Sequence, residues 1–264
     1  MLGAIIGDAI GSAFERIKIK DFNLITPDSC WTENTVLMLA TTDYLLYGGD
    51  YRTSYQRWYH WYPQVNGDYS RRFSEWANAK ALRPYYSCRN DGALRAIPIA
   101  YAFDNLKDVM AEAERSALVS HNHPEGVKGA QAVAATVFLA KAGASKEAIS
   151  ELLSNIFSYE LQTPYPELQQ HYQYSELAQD TVPTAIIAFL ASKNYEDAIR
   201  KAVALGGDAN TLAAMTGGIA EAFFHHIPQN LRYWIWALLD ESQRDLISEF
   251  QAEFLAELEQ VAAA

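Results

Sequence analysis

Apolar residues recur along this chain at the three- and four-residue spacing of amphipathic helices, and no stretch sustains the two-residue alternation of a strand. The helical pattern is clear over 34–47, 92–103, 125–142, 145–158, 182–192, 195–204, 210–225 and 229–259, the last with a break near Asp240. Turn residues punctuate it at Gly48-Gly49-Asp50, Asn66-Gly67-Asp68, His123-Pro124-Glu125 and Gly206-Gly207-Asp208. No Pro/Ser-rich linker and no repeat divides the chain. The pattern therefore predicts one all-α domain over 1–260, followed by a frayed tail over 261–264.

Two segments stand out by side-chain size. A first helix over 3–13 carries Gly3, Gly7 and Gly11 on one face. Each glycine costs about 1 kcal/mol of helix stability against alanine, so the stripe makes sense where another backbone must come close. The late helix 210–225 offers a matching surface of Ala213, Ala214, Gly217, Gly218, Ala220 and Ala222. These two helices are expected to pack together at the domain centre. The segment 51–63, YRTSYQRWYHWYP, is rich in Tyr and Trp. It reads as a helix with an aromatic face on the core in preference to a base-stacking surface.

Composition narrows the function classes. Half of the 264 residues are hydrophobic, enough for a sizeable core, and the net charge is -11. An acidic chain lacks the basic footprint that phosphate backbones require, so no nucleic-acid partner is expected. The two cysteines, Cys30 and Cys88, do not make a disulfide scaffold. The opening MLGAIIGDAIGS lacks a basic n-region and holds Asp8, a poor signal peptide. No apolar run reaches the roughly 18–20 residues of a membrane span. A cytoplasmic protein with no membrane partner is the expectation.

Three polar clusters interrupt the apolar helices: Gly7-Asp8-Ala9-Ile10-Gly11 with Glu15 beyond, Trp31-Thr32-Glu33-Asn34-Thr35, and Gly206-Gly207-Asp208-Ala209-Asn210-Thr211. The last two place short oxygen-bearing side chains at the first turn of an apolar helix. Taken singly, each reads as N-capping, by Thr32 and by Asp208. Taken together, they offer the hydroxyl, carboxylate and amide oxygens that Mg²⁺ takes.

Nearly end to end, the chain resembles the ADP-ribosylglycohydrolase family. The resemblance rests on GAIIGDAIGSAFE (3–15), WTENTVLMLA (31–40), NDGALRAIPIAYAF (90–103), SHNHPEGVKGAQA (120–132) and the long block TVPTAIIAFLASKNYEDAIRKAVALGGDANTLAAMTGGIAEAFF (181–224). It implies an all-α domain with a binuclear Mg²⁺ centre that orients ADP-ribose and helps release it from an acceptor. By position it implies metal ligands at Thr32, Glu33, Asn34, Asp208, Asn210 and Thr211. It implies catalytic carboxylates at Glu15, Glu33 and Asp208. Ligand contacts are implied at Tyr69, Asn90, Asp91, Gly92, His121 and His123.

The departures from the family pattern fall on the chemistry. Where the family reads Thr-Asp-Asp-Thr, this chain reads Thr32-Glu33-Asn34-Thr35, and Asn210 replaces the second aspartate of the late motif. Glu15, Glu33 and Asp208 remain, which leaves two divalent ions undercompensated. Mg²⁺ also demands near-octahedral geometry at about 2.0–2.1 Å, and Glu33 is a methylene too long for it. At most one weakly bound Mg²⁺ (or Mn²⁺) ion is expected, and a site with none is allowed. Asp91 brings a negative charge to the phosphate loop, with Arg89 to offset it, and Ser70 and Arg71 fill a stretch the family leaves as glycines. Three readings follow: a weakened or re-purposed hydrolase of an ADP-ribosyl or related glycosidic bond, a catalytically silent binder of a nucleotide-like ligand or protein partner, and a purely structural protein. The partner of the first is an ADP-ribose-like small molecule or an ADP-ribosylated protein.

Overall fold

Two helices of small residues make the centre of the molecule. In the computed structural model, which describes residues 1–255, the helix Leu2–Gly11 lies antiparallel to the helix Ala209–Phe224. A Cβ added at Gly3 would stand 2.7 Å from the carbonyl oxygen of Gly217, one at Gly7 would stand 2.0 Å from that of Ala213, and one at Gly11 would stand 2.4 Å from that of Ala209. Backbone meets backbone, and no side chain fits between. The expected packing of 3–13 on 210–225 is the packing observed.

In chain order the helices are α1 (Leu2–Gly11), α2 (Glu33–Tyr47), α3 (Tyr51–Trp61), α4 (Arg71–Ala77), α5 (Asp91–Leu94), α6 (Ile99–Ala102), α7 (Leu106–Leu118) and α8 (Pro124–Lys141). They continue as α9 (Lys146–Phe157), α10 (Tyr165–His171), α11 (Ala178–Leu190), α12 (Tyr195–Ala204), α13 (Ala209–Phe224), α14 (Gln229–Leu238) and α15 (Glu241–Phe254). The fold is all-α, and the described residues contain isolated β-bridges but no strand. α13 is the hub: α1, α8, α11 and α12 all pack on it. Every residue from Ala209 to Ala220 is accordingly buried, most of them small or apolar. The aromatic helix α3 turns Tyr51, Tyr55 and Trp58 into the core, as its pattern predicts. Among the described residues no helix is long and apolar enough to cross a membrane.

The single helix expected over 92–103 is two short ones. Pro98 has no N–H to donate and its ring crowds the carbonyl of Leu94, so α5 ends at Leu94 and α6 starts just after the proline at Ile99. α7 is a helix the pattern reading omits. Its many charged residues mask an apolar stripe of Val109, Ala113 and Ala117, all buried. The break near Asp240 is a capping box: Asp240 accepts from the Gln243 N–H at 2.9 Å and Gln243 Oε1 accepts from the Asp240 N–H at 3.1 Å. The end of the 229–259 pattern and the tail over 261–264 lie outside the described residues.

Candidate active site

Antiparallel packing brings the end of α1 to the start of α13, so the segment after Gly11 runs beside Asp208–Thr211. There the chain turns sharply. Arg16 adopts a left-handed conformation (φ 62°), which disfavours any side chain with a Cβ by about 1–2 kcal/mol. Its N–H donates to the Gly207 carbonyl at 2.7 Å, and its guanidinium lies 4.7 Å from the centroid of the Tyr174 ring. Glu15, one residue earlier, stands at the mouth of a cavity.

Asp8 ties the second polar cluster to the first. It is fully buried within α1. Its carboxylate accepts from the Thr32 N–H at 2.8 Å, the Thr32 hydroxyl at 2.7 Å, the Thr35 hydroxyl at 2.6 Å and the Asn34 amide at 3.4 Å. Burial pushes its carboxyl up, and these four bonds work against that. The Asn34 amide also donates to the Thr211 hydroxyl at 3.1 Å, joining the early and late motifs. Thr32 caps α2 as expected, its hydroxyl accepting from the Asn34 N–H at 3.2 Å. Asp208 does not cap α13. Its carboxylate instead accepts from the Asn90 side-chain amide at 2.7 Å, which docks α5 onto the start of α13.

A second polar chain forms the opposite wall. His121 Nε2 lies 3.0 Å from Asp91 Oδ1, Arg89 Nε lies 3.8 Å from the same oxygen, and the Arg89 guanidinium pairs with Glu176. Glu176 accepts from the Tyr174 hydroxyl at 2.6 Å, which closes the chain back to Arg16.

Between these walls lies a cavity of about 350 Å³. Of the residues expected there, Glu15, Glu33, Asn34, Tyr69, Asn90, Asp91, Asp208 and Thr211 line it. The others do not line it. Thr32 is held by its bonds to Asp8 and α2, and Asn210 is buried where α13 meets Gly11. Gly92 lies against the His121 ring, whose Cγ would stand 2.6 Å from a Cβ there. His121 is buried between Ser120 and Asp91. His123 caps α8, accepting from the Glu125 N–H at 3.1 Å, with its ring against Tyr86. Asp68 and Glu176 add carboxylates to the lining that the motif comparison does not count. The shortage of acids is thus confined to the metal positions.

Sequence reasoning misses the roles of Asp8 and Glu176. An aspartate inside an otherwise apolar, glycine-striped helix is a usable signal for the first. Nothing local marks the second, which reaches the site only through the packing of its loop.

Burial shapes the acids. It pushes Asp208 up to about 6, against hydrogen bonds from Asn90 and Thr211. Burial also raises Glu33 well above the usual range, helped by the charges of Asp8, Asp208 and Asp91. Glu15 is raised by partial burial and by Glu176 and Asp8, while Arg16 opposes.

With this geometry the comparisons with known proteins agree. The ADP-ribosylglycohydrolase family model matches residues 1–263. The chain belongs to the ADP-ribosylglycohydrolase family. It is 27% identical to the ADP-ribosylarginine hydrolase Tri1 of Pseudomonas putida, over 85% of this chain and 69% of that protein. It is 28% identical to the ADP-ribosylhydrolase ARH3 of Homo sapiens, over 51% of this chain and 50% of that one. A solved structure titled "ADP-ribosylglycohydrolase-related protein complex" superposes with a TM-score of 0.73 at 24% identity, covering 96% of both chains, and shows the shared fold.

For this family member, the donor atoms bear on a metal. Two buried side-chain oxygens in the motif residues, Glu33 Oε2 and Asn210 Oδ1, have no hydrogen-bond partner. Such orphans are costly unless something else satisfies them. Glu33 Oε2 is held under Gly67, where a Cβ would stand 2.8 Å from it. No three His, Cys, Asp or Glu side chains among the described residues converge as a ready-made ligand group. The charged and neutral oxygens gathered here are of the kind a hard cation takes.

Proposed function

We propose that this chain is a weakened or re-purposed hydrolase of an ADP-ribosyl or related glycosidic bond. The observation that carries the reading is the convergence of Glu15, Glu33 and Asp208 on one cavity, walled by Asn90 and Thr211. Glu15 at the mouth, its carboxyl raised by partial burial, is the general base that takes a proton from the attacking water. That water's oxygen bonds to the anomeric carbon as the bond to the acceptor breaks, and the acceptor takes up the proton that Glu15 received, directly or through solvent, which returns Glu15 to its carboxylate. Glu33, Asn34, Asp208 and Thr211, with Asn210 behind them, would hold one Mg²⁺ or Mn²⁺. When bound, the ion supplies Lewis acidity and a template for the sugar hydroxyls. Asn90 holds Asp208 in place, and Asp8 holds Asn34 by accepting directly from its amide.

The test is release of ADP-ribose from ADP-ribosylated protein in the presence of Mg²⁺ or Mn²⁺. Slow turnover is expected, abolished by Glu15→Gln and raised by Glu33→Asp, Asn34→Asp and Asn210→Asp together. If neither the natural chain nor the triple variant releases ADP-ribose or takes up Mn²⁺, the hydrolase reading is wrong. A ligand-induced rise in melting temperature without turnover would instead support the catalytically silent binder.

A further inference from the structure

Behind the cavity wall, a charged side chain is buried where hydrophobic residues would be expected. Arg95 shows no solvent exposure, and its guanidinium lies 4.0 Å from the centroid of the Tyr55 ring. One nitrogen donates to the Ser116 carbonyl at 2.9 Å and to the Ser120 hydroxyl at 2.7 Å. Ser120 Oγ lies 2.8 Å from His121 Nδ1, and both of those residues are also fully buried. His121 Nε2 then meets Asp91 Oδ1 at 3.0 Å.

One arrangement pairs every donor and acceptor along this row. A guanidinium only donates, so Ser120 accepts from it and keeps its own proton for His121 Nδ1. An accepting Nδ1 leaves the ring's proton on Nε2, where the Asp91 carboxylate accepts it. Burial keeps the ring neutral by pushing its pKa below the ordinary histidine value, with Asp91 opposing. Burial alone would raise Asp91, but the His121 Nε2–H hydrogen bond and the charges of Arg89 and Arg95 work against it, and the carboxyl is held below the usual range. Asp91 Oδ2 makes no hydrogen bond among the described residues, and Asp91 borders the cavity. The nearby Arg89 is already shared between Asp91 and Glu176, so this wall carries two carboxylates and one guanidinium.

We propose that Asp91 is a specificity-determining acceptor, aimed into the cavity by the buried relay Arg95–Ser120–His121, which selects a hydrogen-bond-donating ligand group (a sugar hydroxyl or a protonated nitrogen) and rejects a phosphate at this wall. Arg95, Ser120 and His121 are positioning residues. The fixed tautomer prevents the carboxylate from turning away, and a phosphate placed there meets an ionised acid in a partly dehydrated site. The ligand class deepens the glycosidic-bond reading and rests on it, but the binding test does not depend on turnover.

Two measurements test it on the full chain. The ¹⁵N spectrum of the His121 ring should show Nδ1 unprotonated and Nε2 protonated. Ser120→Ala should disturb that signature and Ser120→Thr, which keeps a hydroxyl, should restore it. Calorimetric titration with ADP-ribose, and with adenosine as the phosphate-free probe, reads the selection. Asp91→Asn should tighten ADP-ribose roughly tenfold or more and change adenosine less than about threefold. Ser120→Ala should shift the preference in the same direction. A protonated Nδ1, an ADP-ribose affinity that Asp91→Asn changes by less than about twofold, or an equal gain for both probes would overturn the proposal. So would ADP-ribose binding to neither protein. A selective gain here, with no ADP-ribose release in the turnover assay, would leave this selection standing and refute the hydrolase reading.

Discussion

Asp8 never touches the cavity, yet its replacement is expected to loosen the site. Four donors converge on its buried carboxylate, at 2.8, 2.7, 2.6 and 3.4 Å. In Asp8→Ala the hydroxyls of Thr32 and Thr35 can rotate toward other partners, but the Thr32 N–H cannot move without unwinding the start of α2. An unsatisfied buried N–H costs about 1–3 kcal/mol, and each lost bond to a charged acceptor about 1.5–3 kcal/mol. Against these losses stands the relief of no longer burying a carboxylate, the effect that raises its pKa. The net expectation is a loss of about 3 kcal/mol for Asp8→Ala. For Asp8→Asn it is about 2 kcal/mol, because one amide oxygen still serves two donors while the NH₂ faces the others. At about 2–4 °C per kcal/mol for a chain near this size, Asp8→Ala should melt about 6–12 °C lower. Scanning calorimetry with urea titration reads both variants, and Mn²⁺ titration reads the register of Glu33 and Asn34. If both variants keep their stability to within about 0.5 kcal/mol, Asp8 is not the organiser of α2 and the scaffold argument fails.

The remaining predictions concern the helix contact and the buried acids. Gly7→Ala should destabilise by about 2 kcal/mol or more despite its gain of about 1 kcal/mol in helix propensity, because the new Cβ would stand 2.0 Å from a backbone oxygen of α13. Chemical denaturation of the variant checks this, and a variant as stable as the parent would refute the close contact. In chelator-treated protein, Asp208 has a folded pKa of about 6 against an ordinary 3.8, so the folded state binds the extra proton between those values. Its contribution is therefore full below about pH 4 and is lost as pH rises through about 6. Melting temperature against pH should fall across that window, and Asp208→Asn should flatten the fall. An unchanged slope in the variant would show that Asp208 is not the group responsible. Asp91 has the opposite sign, and its contribution is lost only below the window, as pH falls under its ordinary 3.8.

The fold class and its central contact were legible in the sequence because they rest on local periodicity and on side-chain size. A three- and four-residue rhythm without alternation gives helices, and glycines at 3, 7 and 11 facing small residues on 210–225 give one dominant packing. The motif residues Glu15, Glu33, Asn34, Asp208 and Thr211 were legible for a similar reason: each is a polar residue at the end of an apolar helix. Tertiary structure decided what those residues do. Thr32 is fixed by Asp8, which accepts its hydroxyl, and Asp208 reads as a cap until Asn90 arrives from another helix. Glu176 carries no local mark, and the motif blocks that hold Arg95 and Ser120 do not show what those two side chains do. Their partners are far away in sequence, and hydrogen bonding and burial depend on distances that only the packed chain sets. The sequence by itself determined which residues are polar where apolar neighbours are expected; the packing of α1 on α13 decided which of them share a cavity and which do not line it.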